Sequence, residues 1–249
     1  MKKFITTALS ACMIFILQSC SIDDSNPPSG DPTNPTSANI TGSVLLFDEA
    51  NNSLDNSGML VTVAGLGLSA LTDTDGGFTI TNVPFGTYTI TYEKTGYGTF
   101  AIYDLEHQTD GIPTSIETIP FLGQESTTVV TDLSSSIAGD NITITTSTSP
   151  AGSPSDTRYL RFFYSTSVSA SNTNYDHVSG RIDSDGNPHN HVITTQDLID
   201  MGFESGTTVY VRAYGDSFWS NSYVDPFFGF EVFPNININT VLATSFTVP

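Results

Sequence analysis

The chain is poor in the basic residues that a nucleic-acid-binding protein needs. It has 7 basic against 26 acidic side chains, a formal charge of −19, and two cysteines in 249 residues. Binding phosphates requires clustered Lys and Arg, and beyond Lys3 only Lys94, Arg158, Arg161, Arg181 and Arg212 remain, scattered along the chain. That excludes nucleic acid, and anionic lipid with it. No apolar run is long enough for a comfortable membrane span, and within residues 39–123 no segment combines helical periodicity with caps. There is no G-x-S-x-G, no H-E-x-x-H and no free cysteine placed to act as a nucleophile, and the histidines lack a base-and-nucleophile arrangement. Gly65, Gly67 and Ala70 match a loose dinucleotide pattern, but a turn follows within two residues where a helix would have to open. The expectation is a non-catalytic protein without cofactor. A hydrophobic fraction of 38% with 11% aromatics excludes a disordered chain, and the abundance of Thr, Ser, Asn, Gly and β-branched residues favours an all-β fold.

What is present begins with an address. Met1-Lys2-Lys3 is a positive start, and Phe4 to Leu17 is an apolar stretch of signal-peptide length. Leu17-Gln18-Ser19-Cys20 resembles the lipobox of bacterial lipoproteins, which implies cleavage after residue 19 and acylation of Cys20, with the outer membrane as partner. Cys20 is then the only cysteine left, so no disulfide is available and folding relies on burial alone. Ser21, Asp23 and Asp24 directly behind it are similar to the acidic export signal by which Bacteroidota lipoproteins reach the cell surface. Surface display is the first expectation and the periplasmic face of the outer membrane the second. Residues 20–38 carry Pro27, Pro28, Pro32 and Pro35 among small polar residues, the composition of an extended tether.

From Asn39 the pattern becomes short alternating runs separated by turn residues. Phe78 and Ile80 share one face, as do Tyr88, Ile90 and Tyr92, and Asp73-Thr74-Asp75-Gly76-Gly77 is a turn. Gly42-Ser43-Val44, Thr72 to Ile80, Asn82 to Ile90 and Lys94-Thr95-Gly96-Tyr97 together resemble the carboxypeptidase regulatory-like family. The resemblance implies a transthyretin-like β-sandwich over residues 39–123 and an accessory or adhesion role. A related architecture, the Cna protein B-type domain, forms a Lys–Asn isopeptide bond from an early strand. Lys94 stands at a late position, so no such crosslink is expected.

Residues 124–249 read as a second β-sandwich. Arg158 to Ser165 is bulky on both alternating faces, which predicts a central strand, and residues 196–203 can make a helical turn. Gly206 to Tyr214 resembles strand F of fibronectin type III-like domains. That resemblance implies a tyrosine corner between Tyr210 and the region of Leu198, with Phe246 to Pro249 as the last strand. The expected fold is therefore all-β, two tandem β-sandwiches after a signal peptide and linker.

Two constellations invite function. Asp216 to Phe233 holds Phe218, Trp219, Tyr223, Phe227 and Phe228, Trp219 being the sole tryptophan. Exposed on a loop end, such rings would pack against sugar C–H groups or protein side chains; folded inward, they would form a satellite core. The first outcome predicts a glycan- or protein-binding or adhesion module, the second a structural spacer or a subunit of a larger envelope complex. Asp183, Asp185, His189 and His191 offer metal-ligand chemistry, but the EF-hand position that needs Glu is Val192. The plainer reading is a hairpin turn with both histidines on one strand face, and no metal.

Overall fold

The computed structural model describes residues 35–108 and 111–249. The expected signal peptide, Cys20, Ser21, Asp23, Asp24 and most of the expected tether lie outside the described residues. The chain first forms β1 (Ser37–Ser43), β2 (Leu45–Phe47), β3 (Leu60–Val63), β4 (Leu68–Leu71), β5 (Gly77–Pro84), β6 (Gly86–Glu93), β7 (Thr99–His107), β8 (Thr114–Ser115) and β9 (Phe121–Gly123). One sheet has the order β5-β1-β8 and the facing one β4-β3-β6-β7, while β2 and β9 pair in parallel. Strand pairing already begins at Ser37, opposite Pro84, two residues inside the segment whose composition reads as tether.

Period-two alternation decides which side chains meet between these sheets. Phe78, Ile80, Ile90 and Tyr92 point inward and are buried together with Ile40, Val44, Val61 and Val63. The turn before β5 is built by Asp73, whose carboxylate accepts from the amides of Asp75 and Gly77. Gly76 in that turn has φ 86° and lies against the Val44 carbonyl, where any Cβ would collide.

The second half contains β10 (Val129–Ala138), β11 (Asn141–Ser149), β12 (Arg158–Ser165), β13 (His177–Val178), β14 (Ile182–Ser184), β15 (His189–Thr194), α1 (Thr195–Asp200), β16 (Thr208–Asp216), β17 (Tyr223–Asp225), β18 (Phe230–Val232) and β19 (Thr244–Thr247). A three-stranded sheet, β10-β11-β15, faces a sheet of order β13-β12-β16-β19, with β14 also on β12. Strand β12 is central, as its composition predicts. Leu160, Phe162 and Tyr164 enter the core between the sheets. Phe163, on the opposite face, packs with Tyr214, Phe233 and Ile236. Arg161 on that same face is buried, pairing through Nε with Asp216 at 2.7 Å and lying over the Phe233 ring. The all-β, two-sandwich architecture expected from the sequence is the one observed.

Helix α1 forms where a helical turn is expected. Thr194 and Asp197 close a reciprocal capping box at its start, and Leu198 on its inner side is buried. Two local expectations are corrected. Residues 185–188 do not form a hairpin turn, because β14 belongs to the sheet of β12 and β15 to that of β11. The segment crosses between sheets, and the Asn187 side chain pins it by exchanging hydrogen bonds with the Thr148 backbone. Nor does Tyr210 make a corner: its neighbours Val209 and Val211 take the core face, which turns the ring the other way. Among the described residues its hydroxyl has no hydrogen bond to the Leu198 turn.

Candidate functional site

Between β16 and β19 the chain does not return at once. It runs across the first sandwich and carries the aromatic segment with it. Asn221 is the centre of this crossing. It is buried with φ 49°, a left-handed conformation that Asn tolerates better than most residues. Its Oδ1 accepts from the Gly123 amide at 2.7 Å, and its Nδ2 donates to the carbonyls of Tyr97 and Gly123, each at 2.8 Å. One side chain thus completes three backbone groups of the first sandwich.

Its neighbours repeat the pattern. The Trp219 ring packs against Phe121 and Phe47 with centroids 5.0 and 5.6 Å apart, and its Nε1 donates to Asn51 Oδ1. Ser217 Oγ donates to the Gln124 carbonyl, and Asn235 Nδ2 donates to that of Trp219. Gly123 lies so close to the Trp219 carbonyl that a Cβ there would be 2.6 Å away. On the other side of the joint, the Glu49 carboxylate accepts from both the amide and the hydroxyl of Thr127 and from Arg158. Charged acceptors make such bonds stronger than neutral ones. Residues 35–249 are accordingly one compact unit.

This arrangement divides the five aromatic candidates. Phe218 meets Tyr159 edge-on and is covered by the Arg181 guanidinium 3.9 Å from its centroid. Tyr223 packs against Phe100 and Tyr103 of the first sandwich. Phe218, Trp219 and Tyr223 are therefore half-buried and occupied with intramolecular contacts. Phe227 and Phe228 are not: they are 87% and 66% exposed at the tip of the β17–β18 hairpin. Phe228 stacks on Phe230 at 5.5 Å, and Phe227 touches Tyr103 edge-on at 6.3 Å.

The turn of that hairpin is held by Asp225, which pairs with Phe230. Its Oδ1 accepts from the amides of Phe227 and Phe228, and its Oδ2 accepts from the Tyr103 hydroxyl at 2.9 Å. Burial by itself raises the Asp225 pKa, yet these donors outweigh it and hold the carboxyl below its ordinary value. The Tyr103 hydroxyl is correspondingly pushed up to about 12 by burial and by its bond to the carboxylate.

The four residues with metal-ligand chemistry are not brought together. Asp183 accepts from Arg181, and Asp185 is exposed in the crossing segment. His191 faces inward and stacks on Phe162, rings 5.1 Å apart and 8° from parallel. Burial lowers the pKa of both His189 and His191. Among the described residues no group of three or more His, Cys, Asp or Glu side chains is placed to hold a metal ion. Asn221, Asn235, Glu49 and Gly123, which make the seam, carry no local sequence signal; each has the composition of an ordinary turn or joint.

No family model matches the chain, and no curated protein does. Among solved structures, one neighbour is a cohesin–X-dockerin complex from Acetivibrio cellulolyticus, 22% identical with a TM-score of 0.29. That likeness covers 36% of this chain and 59% of the other chain's length. A candidate carbohydrate-binding protein from Bacteroides uniformis is 14% identical, with TM-score 0.31, over 85% of this chain and 99% of that one. A DUF3823 family protein from Parabacteroides merdae is 11% identical, with TM-score 0.26, over 72% and 91%. These are distant likenesses among β-rich proteins, and none transfers a ligand to this chain.

Proposed function

We propose that the protein is a lipid-anchored, non-catalytic recognition module displayed on the outer membrane, in which two clamped β-sandwiches present an aromatic hairpin tip to a glycan or protein partner. The observation that carries this reading is the contrast within one segment. Phe218, Trp219 and Tyr223 are packed away, while Phe227 and Phe228 stand open on a hairpin turn that Asp225 ties to Tyr103 of the first sandwich. Exposed aromatics on a rigid support lose little conformational freedom on binding and are the usual anchors of interfaces. Support for the anchor is in the sequence: the apolar stretch before Cys20 and the acidic pair Asp23 and Asp24 behind it.

The test is binding of the full chain to polysaccharides and matrix proteins beside a Phe227→Ser/Phe228→Ser variant. These rings contribute little to either core, so the variant keeps its melting temperature. Binding to any panel member that weakens with the tip supports recognition there; a panel on which every affinity is unchanged in the variant sinks this assignment. Routing is tested separately by Asp23→Ala/Asp24→Ala, which should abolish protease accessibility on intact cells. A second reading, a structural spacer or envelope-complex subunit, is favoured by the seam itself, because Trp219 is spent on holding two modules at one angle.

A further inference from the structure

We infer that the seam contains a second contact site, a groove that takes a short stretch of neutral saccharide. This deepens the recognition reading without using the hairpin tip, so each can fail while the other stands. The groove has a volume of about 310 Å³ and is walled by both sandwiches. Phe100, Thr118 and Phe121 come from the first; Trp219, Ser220 and Ser222 come from the segment that crosses it. It lies near the lower end of ligand-pocket volumes, about 300–1,000 Å³, room for about one or two sugar rings.

The chemistry of the lining selects the ligand. Phe121 stacks on Phe47 and leans on Trp219 yet remains 44% exposed, which leaves ring surface for C–H groups to cover. The hydroxyls of Thr118, Ser220 and Ser222 have no hydrogen-bond partner among the described residues. Asn221 between the two serines, by contrast, is fully engaged with backbone. An apolar ligand would cover those hydroxyls without satisfying them, at a cost in desolvation. No Lys, Arg, His, Asp or Glu lines the groove, so nothing there neutralises a charged ligand, and the chain's −19 charge repels anions. A neutral polyhydroxyl ligand with apolar ring faces meets all three conditions. Because the walls are fixed by the Asn221 and Trp219 contacts, the groove exists before binding.

Trp219 is the only tryptophan in the chain and lines the groove, so its emission reads occupancy directly. The full chain, held in a sugar-free zwitterionic detergent, is titrated with cellohexaose, maltohexaose, mannohexaose, xylohexaose and laminarihexaose, with oligogalacturonate as the anionic arm. The expected result is a saturable spectral shift with at least one neutral oligosaccharide. Phe121→Ala and, separately, Ser220→Ala/Ser222→Ala should weaken it at least about tenfold, whereas Phe227→Ala/Phe228→Ala should leave it unchanged. The serine pair guards against a folding artefact at Phe121, since those hydroxyls hold nothing together. Silence across the neutral panel, preference for oligogalacturonate, or loss of the signal only in the tip variant would each overturn the groove assignment. The last of these would leave the hairpin tip as the site.

Discussion

Removing the Asn221 side chain should uncouple the two sandwiches. In Asn221→Gly three hydrogen bonds vanish, all to buried backbone of residues 97 and 123. At about 1 kcal/mol net for each, with the Gly123 amide left without a partner in a dry position, the loss comes to about 3–4 kcal/mol. A folded unit of this size shifts by roughly 2–4 °C per kcal/mol, so the melting temperature should fall by roughly 6–16 °C. Asn221→Ala should cost about 1 kcal/mol more, because alanine fits the φ of 49° less well than glycine or asparagine. The assay is thermal unfolding followed in parallel by far-ultraviolet circular dichroism and by Trp219 emission. In the wild type the two curves should coincide, as expected of one cooperative unit. In the variants the Trp219 curve should move to lower temperature first, since that ring sits on the seam. Coincident curves shifted by less than about 2 °C in both variants would refute the idea that these bonds hold the modules together.

Three further outcomes follow from the same geometry. Gly123→Ala places a Cβ 2.6 Å from the Trp219 carbonyl, and should cost about 1–3 kcal/mol while making Trp219 easier to quench with acrylamide; unchanged quenching would count against the close approach. Asp216→Ala leaves the buried Arg161 guanidinium without its carboxylate, a loss of about 3–5 kcal/mol in denaturant unfolding, part of which Arg161→Met should restore. His177, His189 and His191 all have pKa values lowered by burial from 6.5. Between those lowered values and 6.5 the unfolded chain binds more protons, so stability is fully present above pH 6.5 and is lost as pH falls through the lowered values. Melting temperatures measured from pH 7.5 to 5 should decline, and His191→Gln should flatten the profile; a flat wild-type profile would contradict this.

Much of the fold is legible in the order of residues because a strand's period of two is local. Phe78 with Ile80, Ile90 with Tyr92, and Leu160 with Phe162 and Tyr164 announce their inward faces within a few positions. The bulk on both sides of Arg158 to Ser165 likewise announces a strand covered on both faces. Turn chemistry at Asp73 and Gly76 is equally local. The failures are of one kind. Asp185-Gly186-Asn187 has the composition of a hairpin turn, but composition does not say whether the next strand pairs with the last one or joins the opposite sheet. Tyr210 lies on a recognisable strand, and a shift of a single position decides which face a side chain takes; Val209 and Val211 claim the core.

The sequence alone determined an all-β chain of strongly acidic composition, its inward-facing residues, and an aromatic segment with two open fates. Which fate each ring met was settled only in three dimensions. Asn221 reaches Gly123 across 98 positions and Trp219 reaches Asn51 across 168. Hydrophobicity says that a ring will be buried if apolar surface is offered to it, but that surface belongs to another sandwich and exists only once both have folded. Trp219 found such a surface and became part of a joint. Phe227 and Phe228, a few residues on at the end of a hairpin, were carried past it and left facing solvent.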